Sequence, residues 1–374
     1  MIEQLKEKIF KHRRELNCRA EVGRKEFKTS EYIRNYLDEI KVDYQTYLET
    51  AVVGKINGKV GNKTIAFRSD IDGLVTDEGV KHLCGHDGHM SILLGLIEFI
   101  NENKESLNDN IVFIFQPAEE GPGGAEELIK LGIMEKYEID EIYGLHMYPE
   151  IPQGTVGIRP GYFLAHVGDF NIDITGKSGH GAMPQNGIDG IVIASQLINS
   201  LQSIVSRNIS PIDNAVLTIG KIEGGARRNI IAENVRLEGT IRAFAPEVYD
   251  GMKARMDEIC RGAELAYNCN INLYIKDDYS AVKNDKALFK EFLKVMDAEN
   301  TEGNVIILDP LMISEDFSYY QKKVPGLFFM LGCMNEEKGY VNGLHNINFN
   351  FDEESLLNGL EIYVKLLKYK KAID

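Results

Sequence analysis

Residues 111–131 read IVFIFQPAEEGPGGAEELIKL. The apolar run 111–115 predicts a buried strand, and 125–131 carries apolar residues at helical spacing. The Pro- and Gly-rich stretch between them can continue neither element, so it forms an irregular turn. The same alternation extends outward, with a short apolar run at 64–68, a helical pattern at 90–100 and another short run at 141–145. Strands alternating with helices over 52–158 define an α/β layer with a largely parallel sheet. In such sheets the working residues collect at the carboxyl ends of the strands. Asp70 and Asp72 follow the first of these strands, Glu119 and Glu120 the next, and His146 the last.

A chain of 374 residues is longer than one hydrophobic core usually serves, so two domains are expected. From 167 onward the order changes to strand, long helix, two strands, long helix, strand, at 170–175, 188–207, 215–222, 235–244, 247–266 and 271–275. This βαββαβ order suits a small open-faced sandwich inserted into the larger domain. The expected division is 1–166 and 279–374 for the two parts of a catalytic domain, with 167–278 inserted between them. The last part ends in an amphipathic helix beginning near residue 352 and carries His345. If it rejoins the first part, His345 can complete a site built by the early strands.

Hydrophobic residues at 44% and charged residues at 26% are those of a folded globular protein. A formal net charge of -15 repels phosphate backbones and anionic lipid, so nucleic acid and membrane are poor partners and a small molecule is the expected one. An anionic substrate would need a local arginine against that background. Residues 1–16 place Ile2, Leu5 and Ile9 among Glu and Lys, an amphipathic helix rather than a signal peptide. With no apolar stretch near the ~18 residues of a membrane span, a cytoplasmic location is expected. The five scattered cysteines fit reduced thiols or a metal ligand better than disulfides.

Residues 84–89, Cys-Gly-His-Asp-Gly-His, precede an apolar helix from Ser91 and are expected in the loop before it. Two residues apart in an extended segment, Cys84 and His86 would point to one side and suit one metal cluster. Taken alone, the reading of Cys84 as a small buried hydrophobe and of His86 as a loop residue carries more weight, and the surrounding residues reverse this. The adjacent Glu119 and Glu120 can take different tasks, one binding a metal and the other facing a water. Their plainer alternative is an acidic turn favouring the N-terminal dipole of the helix at 125. Several strand ends carrying His, Cys, Asp or Glu together are costly to bury unless they coordinate a cation. Imidazole, thiolate and carboxylate together favour zinc, cobalt, nickel or manganese.

The runs FRSDIDGL at 67–74, CGHDGH at 84–89, FQPAEEG at 115–121 and GLH at 144–146 resemble the amidohydrolase branch of the aminoacylase and carboxypeptidase superfamily. SGHGAMP at 178–184, GTIR at 239–242, SEDFSYY at 314–320 and GLH at 343–345 match it too, so the resemblance runs through the whole chain in order. The branch includes hippurate hydrolases, plant auxin-conjugate hydrolases, bacterial aminoacylases and N-acetyldiaminopimelate deacetylases. The resemblance implies a mixed-sheet, dinuclear-metal exopeptidase-like catalytic domain with an inserted ferredoxin-like lid and dimerisation domain. It implies two divalent ions per subunit, held by Cys84, His86, Glu120, His146 and His345, with Glu119 as general base and Asp72 orienting a ligand. It further implies a homodimer through the inserted domain, in which His180 reaches a partner's active site while Asn229 and Arg242 hold the substrate's carboxylate or help close the site. The sequence departs from the branch at Asn17 and Ala20, where His and Pro are usual, in the short connection 74–82, and at Arg227 and Arg228. The last two either add positive charge for an extra carboxylate or serve as surface ion-pair residues.

The expected activity is hydrolysis of the amide bond of an N-acyl amino acid, N-acetyldiaminopimelate being one candidate. A generic aminoacylase or exopeptidase is the alternative of the same class, and a non-catalytic ligand-binding relative the alternative of another. A closed structural zinc site is disfavoured, because such sites use four Cys or His ligands and no spare carboxylate.

Overall fold

The computed structural model describes residues 2–297 and 304–374. The chain divides into two compact units, one of Met1–Phe163, Lys283–Asp309 and Asp316–Asp374, the other of Leu164–Val282 with Pro310–Glu315. The boundaries expected at 166/167 and 278/279 therefore move by a few residues, and one short segment changes sides. Pro310–Glu315 belongs to the smaller unit because Ile313 O accepts the Ala165 amide at 2.9 Å and Met312 O accepts from Arg242 at 2.5 Å.

The larger unit is built on an eight-stranded mixed sheet. Its spatial order is Tyr44–Tyr47, Ala51–Ile56, Asn110–Gln116, Thr64–Asp70, Glu141–Pro152, Gly326–Met334, Val156–Ile158 and Val305–Ile307. The four central strands run parallel, with Asp70 opposite Gln116 and His146 opposite Met330. The two strands at 44–56 add antiparallel on one side. On the other side Val156–Ile158 is antiparallel to its inner neighbour and parallel to the edge strand. The buried central strands read as continuous apolar runs, which is why 64–68 and 111–115 were visible as strands.

Helices Ile2–Asn17, His86–Glu102 and Glu354–Tyr369 share one core with the sheet. Every residue from His86 to Ile100 is buried, the polar side chains of His86, Asp87, His89, Ser91 and Glu98 together with the apolar ones. Each Leu, Ile or Phe removed from water there contributes about 1.5–3 kcal/mol. The C-terminal helix approaches so closely that a Cβ on Gly359 would lie 2.6 Å from Ile92 Cδ1. The same contact brings the end of the chain back onto its beginning, and with it the loop carrying His345.

The smaller unit has a four-stranded antiparallel sheet ordered Ala215–Gly224, Asn234–Ala243, His166–Thr175, Asn270–Asp277. Helices Gly190–Ser203 and Pro246–Tyr267 complete the βαββαβ order. Phe170, Ile172 and Ile174 alternate inward and pack with Ile193, Leu197, Met252 and Met256 in a separate core.

Candidate active site

The helix bearing the first ligand candidates starts earlier than the sequence predicts. His86 through Glu102 are helical, so His86, Asp87 and His89 lie in its first turn rather than in a preceding loop. Gly85 makes this possible. Its φ of +83° lies in the left-handed region open to glycine, and a Cβ there would also meet Met147 Cβ at 2.9 Å. Cys84 and His86 therefore flank a sharp turn and are not alternate residues of an extended segment. Their ligand atoms still lie within 4.8 Å of each other and of His146.

His146 is not at a strand end but in the middle of Glu141–Pro152, whose pairing with Gly326–Met334 carries the strand past it. Asp72 follows Asp70 just outside its strand. The main-chain oxygen of Asp72 lies 2.9 Å from His86 Nδ1, and Asp72 Oδ2 accepts the amide of Glu120 at 3.0 Å. One residue thus orients an imidazole through its backbone and a carboxylate-bearing turn through its side chain.

The turn from Gln116 to Gly124 is pinned from several directions. Buried Glu26 accepts the Ala118 amide at 2.9 Å. Asp316 accepts the amides of Gly124 and Ala125, each at 3.0 Å. Gln116 donates to Asp316 and accepts from Arg68 Nε at 2.9 Å, while Arg68 also donates to Asp70 and Asp316 at 2.9 and 2.8 Å. All four side chains are buried. On this frame Glu119 is buried, and its carboxylate lies within 4.8 Å of ligand atoms of His86 and Glu120.

His345, from the far end of the chain, donates its amide to Leu83 O at 3.0 Å. Its φ of +63° is uncommon for a residue with a side chain. Its Nε2 lies 3.8 Å from Glu120 Oε1, and His86 Nε2 lies 4.0 Å from the same oxygen. Cys84, Glu120 and His345 form a second close group that shares Cys84 with the group of Cys84, His86 and His146. All five residues expected to hold metal are brought together.

The donor atoms fit a cation. His86 Nε2 and Glu120 Oε1 are buried without a hydrogen-bond partner, and so is Asp72 Oδ1. Leaving such atoms unmet is costly unless an ion satisfies them. Both imidazoles present the right nitrogen, since His86 Nδ1 and His146 Nδ1 face the main-chain oxygens of Asp72 and Met147 at 2.9 and 2.7 Å. A ring N–H spent on a carbonyl turns Nε2 toward the cluster, where a cation can take the place of a proton. Burial opposes charge on His86, yet the carboxylates of Asp70, Asp72 and Glu120 outweigh it and push its pKa up to about 10. Burial, then the Glu120 charge, pushes the Cys84 thiol well up. The pocket thus holds more negative charge than it neutralises, as a cation site should.

Asp70 and His89 are functional neighbours that the sequence alone did not rank. His89 Nδ1 lies 2.6 Å from Asp70 Oδ1, and the Met147 amide donates to His89 Nε2 at 2.8 Å. Burial works against the charge of Asp70, but His86, His89 and Arg68 beside it hold the carboxyl well below the usual range. The signal available was the spacing of His86 and His89, three apart and hence on one helix face.

The remaining expected residues lie on the smaller unit. His180 is exposed and pairs in register with Ile230, and its Nδ1 accepts the Ala182 amide at 3.1 Å. That contact leaves the ring proton on Nε2. Asn229 is exposed, with its main-chain oxygen accepting the Gly181 amide at 2.9 Å. Arg242 is half-buried on its strand and donates to Met312 O.

Thiol, imidazole and carboxylate donors gathered along the carboxyl edge of a mixed α/β sheet define a metal-dependent hydrolase. The sequence matches peptidase family M20/M25/M40 over residues 66–369, and the chain belongs to that family. It is 41% identical to an N-acetyldiaminopimelate deacetylase of Exiguobacterium sibiricum, over 94% of this chain and 97% of that one. It is 37% identical to the enzyme of the same name from Bacillus pumilus, over 97% and 98%. A solved structure from Bacillus subtilis, described as a dinuclear metal binding peptidase from the M20 family, superposes with a TM-score of 0.83 at 27% identity, covering 99% of both chains. Among the described residues, no helix is long and apolar enough to cross a membrane.

Proposed function

We propose that this amidohydrolase removes the acyl group, an acetyl group foremost, from an N-acyl amino acid, with N-acetyldiaminopimelate as the first substrate to test. The observation that carries this is the buried carboxylate of Glu119, with an oxygen within 4.8 Å of ligand atoms of His86 and Glu120. The names of the full-length relatives support the substrate class.

Cys84, His86, Glu120, His146 and His345 would hold two divalent ions, with zinc, manganese, cobalt and nickel all suited to the donors. When bound, such ions polarise an amide carbonyl and bring the pKa of water toward about 7. Glu119 then removes the proton of the attacking water and passes it to the nitrogen of the leaving amine, so the C–N bond breaks with the proton delivered where it is needed. Asp72 keeps His86 and the Glu119–Glu120 turn in register with each other. His180, which carries its proton on Nε2, donates to the oxyanion that develops on the carbonyl oxygen. Asn229 and Arg242 receive the substrate's α-carboxylate. A homodimer, with His180 supplied by the second copy, completes the proposal.

The test is release of a free amino group from N-acetyldiaminopimelate, other N-acyl amino acids and dipeptides, with the protein loaded separately with zinc, manganese and cobalt. Turnover confined to N-acyl amino acids supports the proposal. Turnover of dipeptides alone would make the protein an exopeptidase, and no turnover with any metal would leave it a binding protein.

A further inference from the structure

A cavity of about 630 Å³ lies in the larger unit, lined in part by Arg13, Arg14, Lys81 and His82. Among the described residues lining it none is acidic, in a chain whose acidic residues outnumber Lys and Arg by 57 to 42. Its wall is continuous with the metal-ligand loops. His82 and Leu83 run directly into Cys84, Leu83 O receives the His345 amide at 3.0 Å, and Ile347, two residues past His345, also lines the space.

His82 is the unusual member. It is only 5% exposed, yet neither ring nitrogen has a hydrogen-bond partner. A buried imidazole left so costs roughly 1–3 kcal/mol, and the cavity it faces is where a partner can enter. In either neutral tautomer the ring offers an N–H. The neighbouring cations are differently committed. Arg13 donates to Asp87, Asn350 and Phe351 O, and Arg14 to Glu353. Lys81 pairs with Glu78 across the hairpin of Leu74–Thr76 and Gly79–Lys81, where both are exposed. An exposed pair of that kind is worth at most about 1 kcal/mol, so the ammonium can exchange its partner.

We infer that this cavity is a subsite for a second, distal carboxylate of the substrate, received by His82 and Lys81 under the field of Arg13 and Arg14. The inference deepens the reaction proposed above and rests on it for the identity of the ligand. The substrate class becomes an N-acyl amino acid whose side chain itself ends in a carboxylate-bearing group, one end at the metal cluster and the other in the cavity.

The experiment is calorimetric titration of the metal-loaded, full-length protein with pimelate and with hexanoate, six-to-seven-carbon acids that differ in the second carboxylate. Wild-type protein is expected to bind pimelate on the order of tenfold more tightly, a margin of about 1.4 kcal/mol. Lys81→Met, on the exposed hairpin, and His82→Gln, checked for retained metal, are each expected to cut that margin to about threefold or less. Equal affinity of the two acids for the wild type, or a margin that survives in both variants, overturns the subsite. Hydrolysis assays run alongside separate the two ideas, because a protein that hydrolyses nothing yet keeps the pimelate margin loses the proposed reaction and retains the subsite.

Discussion

Asp70 Oδ1 lies 2.6 Å from His89 Nδ1, and because the Met147 amide donates to the opposite nitrogen, the ring proton is fixed on the side of Asp70. This pair stands between the ligand candidates and the sheet. His86 Nε2 is 3.8 Å from the other oxygen of Asp70, and the His89 ring is 4.6 Å from that of His146. Asp70→Asn is expected to lower metal affinity about tenfold to a hundredfold without removing a proposed ligand. Competition with a chromophoric chelator measures it, and wild-type affinity in the variant would reduce Asp70 to a fold residue.

Glu119→Gln keeps the shape of the side chain and loses its basicity. Turnover should fall by about two to four orders of magnitude while metal content stays at the wild-type value. Cys84→Ser and His86→Asn should do the reverse first, lowering bound metal measured by elemental analysis. Metal loss in Glu119→Gln would show that Glu119 ligates instead of acting as base.

Arg68 is buried between two carboxylates, Asp70 and Asp316, with Gln116 as its third partner. Arg68→Met takes the guanidinium away from both acids, although His86 and His89 still face Asp70. The expected loss of stability is about 3–5 kcal/mol, read as a lower urea midpoint. Asp316 also accepts the amides that open the helix Ala125–Lys130, so the turn holding Glu119 should loosen with it.

His12 gives a pH dependence independent of any metal. It is buried against Tyr32, whose hydroxyl is 2.8 Å from Nδ1, and burial lowers its pKa from 6.5 to about 4. The unfolded chain therefore takes up a proton first as pH falls. The stability held by neutral His12 is complete above pH 6.5 and is lost progressively down to pH 4, by about 3 kcal/mol. Urea unfolding at pH 7 and pH 4.5 should show a smaller difference in His12→Phe than in the wild type, and an equal difference in both would refute the assignment.

Much of this was readable in advance where periodicity decides structure. The central strands and the βαββαβ order follow from apolar runs and alternation, and the observed elements begin and end within a few residues of those patterns, save that Glu141–Pro152 runs seven residues further. Glu120 and His146 were legible as residue types following apolar runs, and Cys84 and His86 as a pair preceding an apolar helix. What stayed hidden depended on a single backbone angle or on distant pairing. The helix start at His86 turns on the positive φ of Gly85, which spacing does not announce. The continuation of the strand through His146 is set by its partner Gly326–Met334, far away in the chain. The roles of Asp70 and Asp316 arise from hydrogen bonds between segments that no local pattern links.

The pairing of Gly326–Met334 beside Glu141–Pro152 also bears on how the molecule is made. A ribosome emits the first three parallel strands long before the fourth, and His345 later still. While the smaller unit's sheet is being translated, the earlier half waits with an uncovered strand edge and an incomplete set of donors. A chain stalled before residue 326 would expose that edge to its neighbours and lack His345, so the five donors come together only after the strand Gly326–Met334 and the loop behind it are made.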